Sequence, residues 1–383
     1  MAVSAGAENL FLGRDTKVFI QKGAVIWEIP VLNGYTFNQS TNTSEITLQE
    51  MANAAGASRR GKAVFNESVS PTEWSFEAYA RPYIVNGVHR SVDEILWASI
   101  AATNPVLTTN ADKSLETWSQ AVTFDATQLD FDFDDSNYVS LGTFDIYFVL
   151  GANNVTGKDY AADGDTTIYK IPDAVVNEAT IPFDVEGITT LSWSGMGGTM
   201  VEETAFDATD AIVGGTTATN NFIRSRFTAL TATSSVSGSS IDYVITLTGG
   251  SITINNNINF LTPEEIGKVN QPIAHVTGTR SVSGSFSCYI DEVTDGPIDL
   301  YEDLLSAQDA DRNVFALDFY IGGKDGSNDR PTGPGIQFKM AQAHLEIPTM
   351  SQDDVISLEV NFSALPTTLG ATDELSRVTY VGV

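Results

Sequence analysis

The sequence predicts a mainly β protein in which one strand–helix–strand unit occurs twice in tandem. Three observations indicate this fold class. Short apolar and β-branched runs alternate with turn residues along the chain, only two segments have a convincing helical pattern, and similar residues surround those two segments. With 383 residues, the chain is long enough for about two domains.

The predicted strands show period-two alternation of apolar and polar residues. Residues 74–84 are the clearest case, because Trp74, Phe76, Ala78 and Ala80 fall on one face. We expect this face to be buried. Further strands are predicted at residues 16–21, 24–32, 141–150, 188–193, 241–247, 251–261, 281–290, 314–321, 335–347 and 355–362.

Two helices are predicted, at residues 92–102 and 298–307. In the first, Ser91 and Glu94 have the spacing of a capping box, in which the two residues satisfy each other's backbone N–H groups. In the second, Pro297 stands where a helix can begin, and Leu304 belongs to the apolar stripe.

Matching residues around the two helices indicate a duplication. Phe76 and Phe286 take the same place before each helix, and Gly151 and Gly322 end the aromatic strand that follows. We predict two tandem domains, residues 1–200 and 201–383. The spacing of equivalent residues shortens after the helix, which predicts an insertion near residues 103–140 of the first copy. Two ordinary α+β segments of similar composition remain the alternative.

The charge balance is strongly acidic. Twenty Lys and Arg residues against 49 Asp and Glu residues give a net charge of −29. Such a surface repels the phosphates of nucleic acids. A need for solubility or adaptation to a salty medium would explain the acidic charge balance. A surface past which DNA must move without binding would explain it as well.

Against this background, Arg59, Arg60 and Lys62 form a local positive patch after a run of small residues. The patch is either an ordinary surface loop or an ion-pair contact with an acidic neighbour. In the second case it would join one protomer of an assembly to another.

The residues that commonly carry chemistry are sparse. Cys288 is the single cysteine, so no disulfide can form within the chain, and it lies in an apolar strand pattern typical of a buried thiol. His89, His275 and His344 are scattered, without the spacing of metal ligands. The common nucleotide-binding and hydrolase motifs are missing from the sequence. We therefore expect no enzyme, no cofactor and no metal.

Acidic clusters leave two alternatives open. Residues 159–165 and 325–329 could offer oxygen ligands to calcium, but neither has the spacing of a calcium loop, and solvated turns explain both. Asp130, Asp132 and Asp134 could supply a carboxylate pair for glycoside hydrolysis. Their alternation with phenylalanine is more simply a strand with one buried face.

Several motifs together resemble the tail tube proteins of tailed bacteriophages. They are PVLNGY at residues 30–35, PTEWSFEAYAR at 71–81, HVTGTRSVSG at 275–284 and AHLEIP at 343–348. The resemblance covers nearly the whole chain apart from the predicted insertion and residues 205–240. These motifs are structural, so they indicate a fold and a role in an assembly.

The resemblance implies two β-sandwich domains of the tail tube type, each with one flanking α-helix. In the assembled ring, the inner sheets would join into a β-barrel around the lumen, which removes exposed sheet edges. The chain would be a non-catalytic structural subunit of the virion tail, made in the host cytoplasm. No signal peptide and no membrane anchor are expected, because no apolar run reaches about 20 residues.

The resemblance also implies partners. Two units per chain would let three chains form a pseudo-hexameric ring, as in some long-tailed siphophages, and stacked rings would form the channel for genome ejection. The tape measure, tail tip or baseplate, and terminator proteins would contact the tube, and double-stranded DNA would pass without specific binding. The alternatives are another virion β-protein, such as a decoration or tail-tip protein, and a calcium-dependent carbohydrate-binding surface protein.

Overall fold

A computed structural model describes residues 10–32, 34–47, 62–101, 107–108, 117–118, 122–124, 127–133, 141–163, 165–213, 221–234, 241–306, 314–323, 333–352 and 355–381. Within these ranges the chain forms 30 strands and two α-helices. The mainly β prediction is therefore confirmed. Residues 10–213 are called the first half below, and residues 221–381 the second half.

The elements follow one another in this order. The first half contains β1 (Lys17–Lys22), β2 (Val25–Ile29), β3 (Thr36–Asn38), β4 (Thr41–Thr47), β5 (Lys62–Val69), β6 (Thr72–Tyr79), β7 (Pro82–Val85), β8 (Val88–Ser91), α1 (Glu94–Ala101), β9 (Leu107–Thr108), β10 (Thr117–Trp118), β11 (Val122–Phe124), β12 (Gln128–Asp132), β13 (Phe144–Leu150), β14 (Asp159–Ala161), β15 (Thr167–Asp184), β16 (Thr190–Gly197), β17 (Val201–Glu203), β18 (Ala205–Asp207) and β19 (Ile212–Val213). The second half contains β20 (Ala229–Ser234), β21 (Ile241–Ile245), β22 (Leu247–Asn255), β23 (Asn259–Leu261), β24 (Ala274–Val276), β25 (Ser281–Tyr289), α2 (Pro297–Ser306), β26 (Phe315–Gly322), β27 (Gly335–Leu345), β28 (Thr349–Gln352), β29 (Ile356–Ala364) and β30 (Arg377–Val381).

One series of eight antiparallel strands crosses both halves and is called the eight-strand sheet. Its order is β3, β6, β16, β15, β22, β25, β29, β28. The halves meet where the end of β15 pairs with β22, from Glu178 opposite Asn255 to Asp184 opposite Gly249. The sheet therefore continues from one half into the other without a gap.

A second layer of strands packs behind this sheet. In the first half, β2, β1, β13 and the beginning of β15 pair in that order. The strands of the second half pair in the order β21, β20, β26, β27, β30, and the first-half strands β12 and β11 continue this series beyond β30. The strands β11 and β12 belong to the predicted insertion, so part of that segment pairs with the C-terminal strand β30.

The core lies between the two layers and spans both halves. Trp74, Phe76, Ala78 and Ala80 are all buried, as the alternation predicted. Helix α1 is buried on every side, and its Trp97 packs against aromatic rings from both halves: Phe131, Phe133, Trp193 and Phe338. Neither helix of the described residues is long and apolar enough to cross a membrane.

The predicted capping box is wrong. Helix α1 begins at Glu94, and Ser91 ends the preceding strand β8. The backbone carbonyl of Asp93 accepts the first helical hydrogen bonds, from the N–H groups of Leu96 and Trp97. Glu94 cannot serve as the returning partner of a box because its carboxylate instead accepts from Arg90 Nη1 at 2.8 Å.

The predicted strand over residues 74–84 is divided in two. Strand β6 ends at Tyr79, and Pro82 begins the separate strand β7. Proline has no backbone N–H to donate to a ladder, so it is favoured at the first residue of a strand and not in the middle of one.

Candidate assembly surface

Of the predicted cationic contact, only Lys62 belongs to the described residues, and it lies in a hairpin that leaves the eight-strand sheet. Strands β4 and β5 pair along their whole length, and Lys62 is the first residue of β5. Arg59 and Arg60 fall between these strands and lie outside the described residues. Their role, with that of Lys62, therefore stays a prediction.

A second hairpin, β23–β24, follows β22 in the way that β4–β5 follows β3. The two hairpins touch: Val69 N–H donates to the Asn270 carbonyl at 2.8 Å, and Asn270 N–H donates to the Glu67 carbonyl at 3.0 Å. They define one rim of the sheet, called the hairpin rim. Its exposed apolar residues are Val64, Phe65, Leu261, Ile266, Val269, Ile273 and Val276.

The opposite rim, where β6 and β25 end, is also apolar. Its exposed residues include Ile84, Val185, Ile188, Tyr289, Val293, Val355 and Ile356. Carboxylates stand among them, since Asp184, Glu186, Glu292 and Asp295 are exposed at the same rim. Exposed apolar residues grouped in this way are typical of surfaces that contact another protein.

The face of the eight-strand sheet that points away from the core is covered by small polar residues. One row crosses six strands in register and consists of Glu77, Ser192, Thr180, Thr253, Ser283 and Ser363. Hydroxyl groups bond to each other along such rows, as in the 3.1 Å contact between Thr180 Oγ1 and Thr253 Oγ1. Polar side chains therefore dominate this surface.

The charges on this polar face have one sign. It carries the five carboxylates Glu73, Glu77, Glu178, Asp184 and Glu359. The one Lys or Arg in the described strands of the sheet is Lys170, and it lies in the beginning of β15, which pairs with β13 and β17 in the other layer. Neutral donors hold two of these carboxylates: Ser192 Oγ donates to Glu77 at 3.2 Å, and Asn255 Nδ2 donates to Glu178 at 2.7 Å. The face is therefore uniformly negative and repels anions.

The eight-strand sheet ends in two open edges among the described residues. Strand β3 pairs only with β6, and β28 pairs only with β29. All four residues of β28 are exposed. Open edges of this kind are templates for pairing with another chain, which natural proteins otherwise cover or disrupt.

The residues that could have carried chemistry do not come together. Cys288 is fully buried in β25, and burial raises the pKa of its thiol to about 12, as expected of an inert thiol. His89, His275 and His344 lie on the separate strands β8, β24 and β27. In the part of the chain that the structure describes, no three His, Cys, Asp or Glu side chains are placed to hold a metal ion.

The acidic clusters are explained by local structure where they are described. In the first cluster, Arg377 of β30 forms ion pairs with two carboxylates of the neighbouring strand β12. Its Nη1 lies 3.2 Å from Asp130, and its Nε lies 2.8 Å from Asp132. Asp163 Oδ1 accepts from the N–H of Asp165 at 3.2 Å, which is a local turn. Asp134 and residues 325–329 lie outside the described residues.

A two-layer β-fold with a polar acidic face and two open edges among the described residues fits a protein that assembles with copies of itself. The family model described as phage tail tube protein matches residues 101–364, more than half of the chain. The chain therefore belongs to the phage tail tube protein family. It is a structural subunit of a phage tail tube and a component of the virion tail, and subunits of this family assemble into tubes that contact other tail proteins.

A named relative supports the same assignment. The chain is similar to the tail tube protein pb6 of Escherichia phage T5, with 29% identity over 382 residues. The alignment covers 96% of this chain and 75% of the relative. Among the functions that the sequence allowed, the tail tube subunit is confirmed. The family is a structural one, which agrees with the expectation of a non-enzyme.

Proposed function

We propose that three copies of this chain close into a ring of six similar units, that rings stack into a tube, and that phage DNA passes through its lumen. The observation that carries the proposal is the eight-strand sheet, which crosses both halves and has two open edges. Such a sheet can continue into a second copy of itself and end by closing as a barrel. The tape measure, tip and terminator proteins would contact this tube.

The order of strands supports two similar units in each chain. The first half orders its strands β3, β6, β16, β15, and the second orders the strands of equivalent place in the chain β22, β25, β29, β28. A large and a small residue exchange places between the halves: Trp74 faces Gly195 in one, and Gly284 faces Phe362 in the other. Strands β17 to β19 pair with the first half, which favours a first unit that extends past residue 200 to about Val213.

The pairing of β15 with β22 provides a template for the contact between chains. Strand β15 is the last of the first unit in the sheet, and β22 is the first of the second unit. The strands in equivalent positions at the two open edges are β28 and β3. We therefore expect β28 of one copy to pair with β3 of the next, so that the polar face and the core both continue from chain to chain.

Barrel geometry favours three chains. With strands about 4.8 Å apart and tilted by about 40°, a barrel of 24 strands measures about 48 Å between backbones, and one of 16 strands about 32 Å. Side chains occupy roughly 5 Å on each side, half the spacing of packed sheets. Three chains thus leave a lumen of about 38 Å, ample for a hydrated duplex, whereas two leave about 22 Å.

The polar acidic face would line this lumen, because the opposite face of the sheet is the core. Its carboxylates repel DNA phosphates, and its hydroxyl groups keep the wall hydrated. Because this wall offers DNA no positive charge to pair with, the genome would slide along it without being retained.

The two rims would form the contact between rings. A hairpin rim that meets the opposite rim of the next ring makes a heterologous contact, which repeats without closing and so builds a tube. Charge supports this pairing, because the hairpin with Arg59, Arg60 and Lys62 would meet the rim with Glu186, Glu292 and Asp295.

Native mass spectrometry and negative-stain microscopy test the ring, with proline placed in turn at Met350 and Ser351 of β28. Successive residues of a strand direct their N–H groups to opposite sides of it. One of the two prolines therefore removes a donor from the open edge and leaves the pairing with β29 intact. We expect that variant to stay folded by circular dichroism and to remain monomeric, while the wild type forms rings of three chains.

A ring of six chains from the wild type would contradict the three-chain proposal. If both proline variants form the same rings as the wild type, β28 is not the edge that joins the chains. Proline at Gly13 is the matched control, because that position lies outside every strand of the eight-strand sheet.

A further inference from the structure

Arg280 is a buried arginine of the second half that bonds to the first half. It directly precedes β25 and is 5% exposed. Its Nη1 donates to the Phe133 carbonyl at 3.1 Å, and its Nη2 donates to the Ala101 carbonyl at 3.4 Å, both in the first half. Its guanidinium also lies over the Phe133 ring at 5.2 Å. Ala101 ends α1, where the helix dipole favours a cation.

The same hydrogen-bond network reaches the pairing of β15 with β22. Arg280 Nε donates to Asn256 Oδ1 at 3.1 Å, and Asn256 Nδ2 donates to the Ile100 carbonyl at 3.4 Å. The N–H of Asn256 donates to the carbonyl of Asn177 in β15 at 2.9 Å. The side chain of Arg280 thus connects the end of a helix in the core with the place where the two halves of the sheet join.

Strand pairing by itself does not determine the angle between the halves. Neighbouring strands in sheets are rotated by anything from about 10° to 35°. A bond from the sheet to an element behind it restricts this rotation, because it holds the two halves at a second point outside the plane of the sheet. The bond from Arg280 to the Ala101 carbonyl at the end of α1 is of this kind.

The equivalent position in the first half has no comparable side chain. Gln39, after β3, and Ser70, before β6, stand where Asn256 and Arg280 stand in the second half, and Gln39 Nε2 donates to the Ser70 carbonyl at 2.8 Å. A serine is too short to reach a helix across the contact between two chains. The join within each chain is therefore held more firmly than the join between chains.

We infer that Arg280 is a positioning residue that sets the angle between the two halves of the chain, and with it the number of chains that close a ring. The inference rests on the proposed three-chain ring. In that ring each chain spans a third of the circle, so a change in the angle within a chain is repeated three times. The open edge of the third chain then no longer meets the open edge of the first chain, and the ring does not close.

The variants Arg280→Met and Arg280→Lys of the full chain test this, with Arg14→Met as the matched control because the Arg14 side chain is 77% exposed. Circular dichroism and thermal melting report folding, native mass spectrometry counts chains per ring, and negative-stain microscopy measures tube diameter. We expect Arg280→Met to fold with a Tm lowered by roughly 2–6 °C. It should form mixed ring sizes and open arcs, with less than half the closed rings of the wild type.

Arg280→Lys keeps the charge but not the planar fork of donors, so it should fall between the wild type and Arg280→Met. Uniform three-chain rings from a folded Arg280→Met would overturn the inference and leave the proposed function standing. Failure of both variants to fold would also overturn the inference, because it would show that Arg280 is needed for folding itself. If the wild type and Arg14→Met form no rings, the proposed function fails as well.

Discussion

Asp93 is a carboxylate in the core that joins helix α1 to the C-terminal strand. It is fully buried, and it accepts from Trp97 Nε1 at 3.1 Å and from the Tyr380 hydroxyl at 3.0 Å. Burial raises the pKa of Asp93 to about 6, although these hydrogen bonds oppose the shift. The folded state therefore holds a proton on Asp93 more tightly than the unfolded state does.

The raised pKa predicts a pH dependence of stability for the unassembled chain. The contribution of Asp93 to the free energy of unfolding should fall as the pH rises from about 4 to about 6. Above pH 6, the ionisation of Asp93 lowers the free energy of unfolding by up to about 3 kcal/mol. Asp93→Asn cannot ionise and still accepts a hydrogen bond from Trp97. Urea unfolding at pH 5 and pH 7.5 should show a smaller loss of stability with rising pH for Asp93→Asn than for the wild type.

Glu94 is also buried with a raised pKa, so some of the pH dependence should survive in Asp93→Asn. Asp210→Asn is the control, because Asp210 is exposed. An unchanged pH dependence in Asp93→Asn would show that Asp93 stays ionised, or stays protonated, over the whole range.

At the scale of the element, two glycines allow the strands of the eight-strand sheet to pack against large aromatic rings. A Cβ on Gly195 would lie 2.0 Å from the Val175 carbonyl oxygen and 2.5 Å from the Trp74 ring. A Cβ on Gly284 would lie 2.0 Å from the Ser251 carbonyl oxygen and 2.8 Å from the Phe362 ring. The approach of backbone and ring leaves no space for a side chain.

We expect Gly195→Ala and Gly284→Ala each to lower the free energy of unfolding by about 1–3 kcal/mol, the usual cost of overpacking. Gly13→Ala is the matched control, because no atom lies within 4 Å of its added Cβ. Urea denaturation of the three variants measures the difference. Equal stability of all three would mean that the strands shift apart at little cost.

At the scale of the whole molecule, the polar face of the eight-strand sheet carries negative charge only. Replacing Glu73, Glu77 and Glu359 by lysine changes the lumen of the proposed tube by six charges per chain. We expect wild-type tubes not to retain short duplex DNA at low salt, whereas the triple variant retains it and releases it as salt rises.

The matched control replaces Glu202, Asp207 and Asp210 by lysine, which makes the same change of charge on exposed residues outside the eight-strand sheet. Co-sedimentation of labelled DNA with tubes, across a range of salt concentrations, measures retention. Equal retention by the two variants would indicate that the polar face does not line the lumen.

The sequence determined the local features of this protein. Period-two alternation predicted the buried face that includes Trp74 and Phe76, and helical periodicity located α1 and α2 to within a few residues. The lone Cys288 was recognisable as a buried thiol from its apolar strand. These predictions succeed because burial against a core imposes its period on each short segment independently. The family was also evident from motifs that lie within single strands and turns.

Only the tertiary structure decided which strands meet. The pairing of β12 with β30, of β15 with β22, and of Arg280 with the end of α1 joins residues far apart in the chain. No local pattern encodes the partner or the register of such a pair, because many strands offer the same backbone groups. The start of α1 at Glu94 was missed for the same reason, since Tyr380 bonds to Asp93 and Arg90 bonds to Glu94, and neither partner can be read from the local pattern. The open edges and the acidic face likewise follow from the order of strands in the sheet.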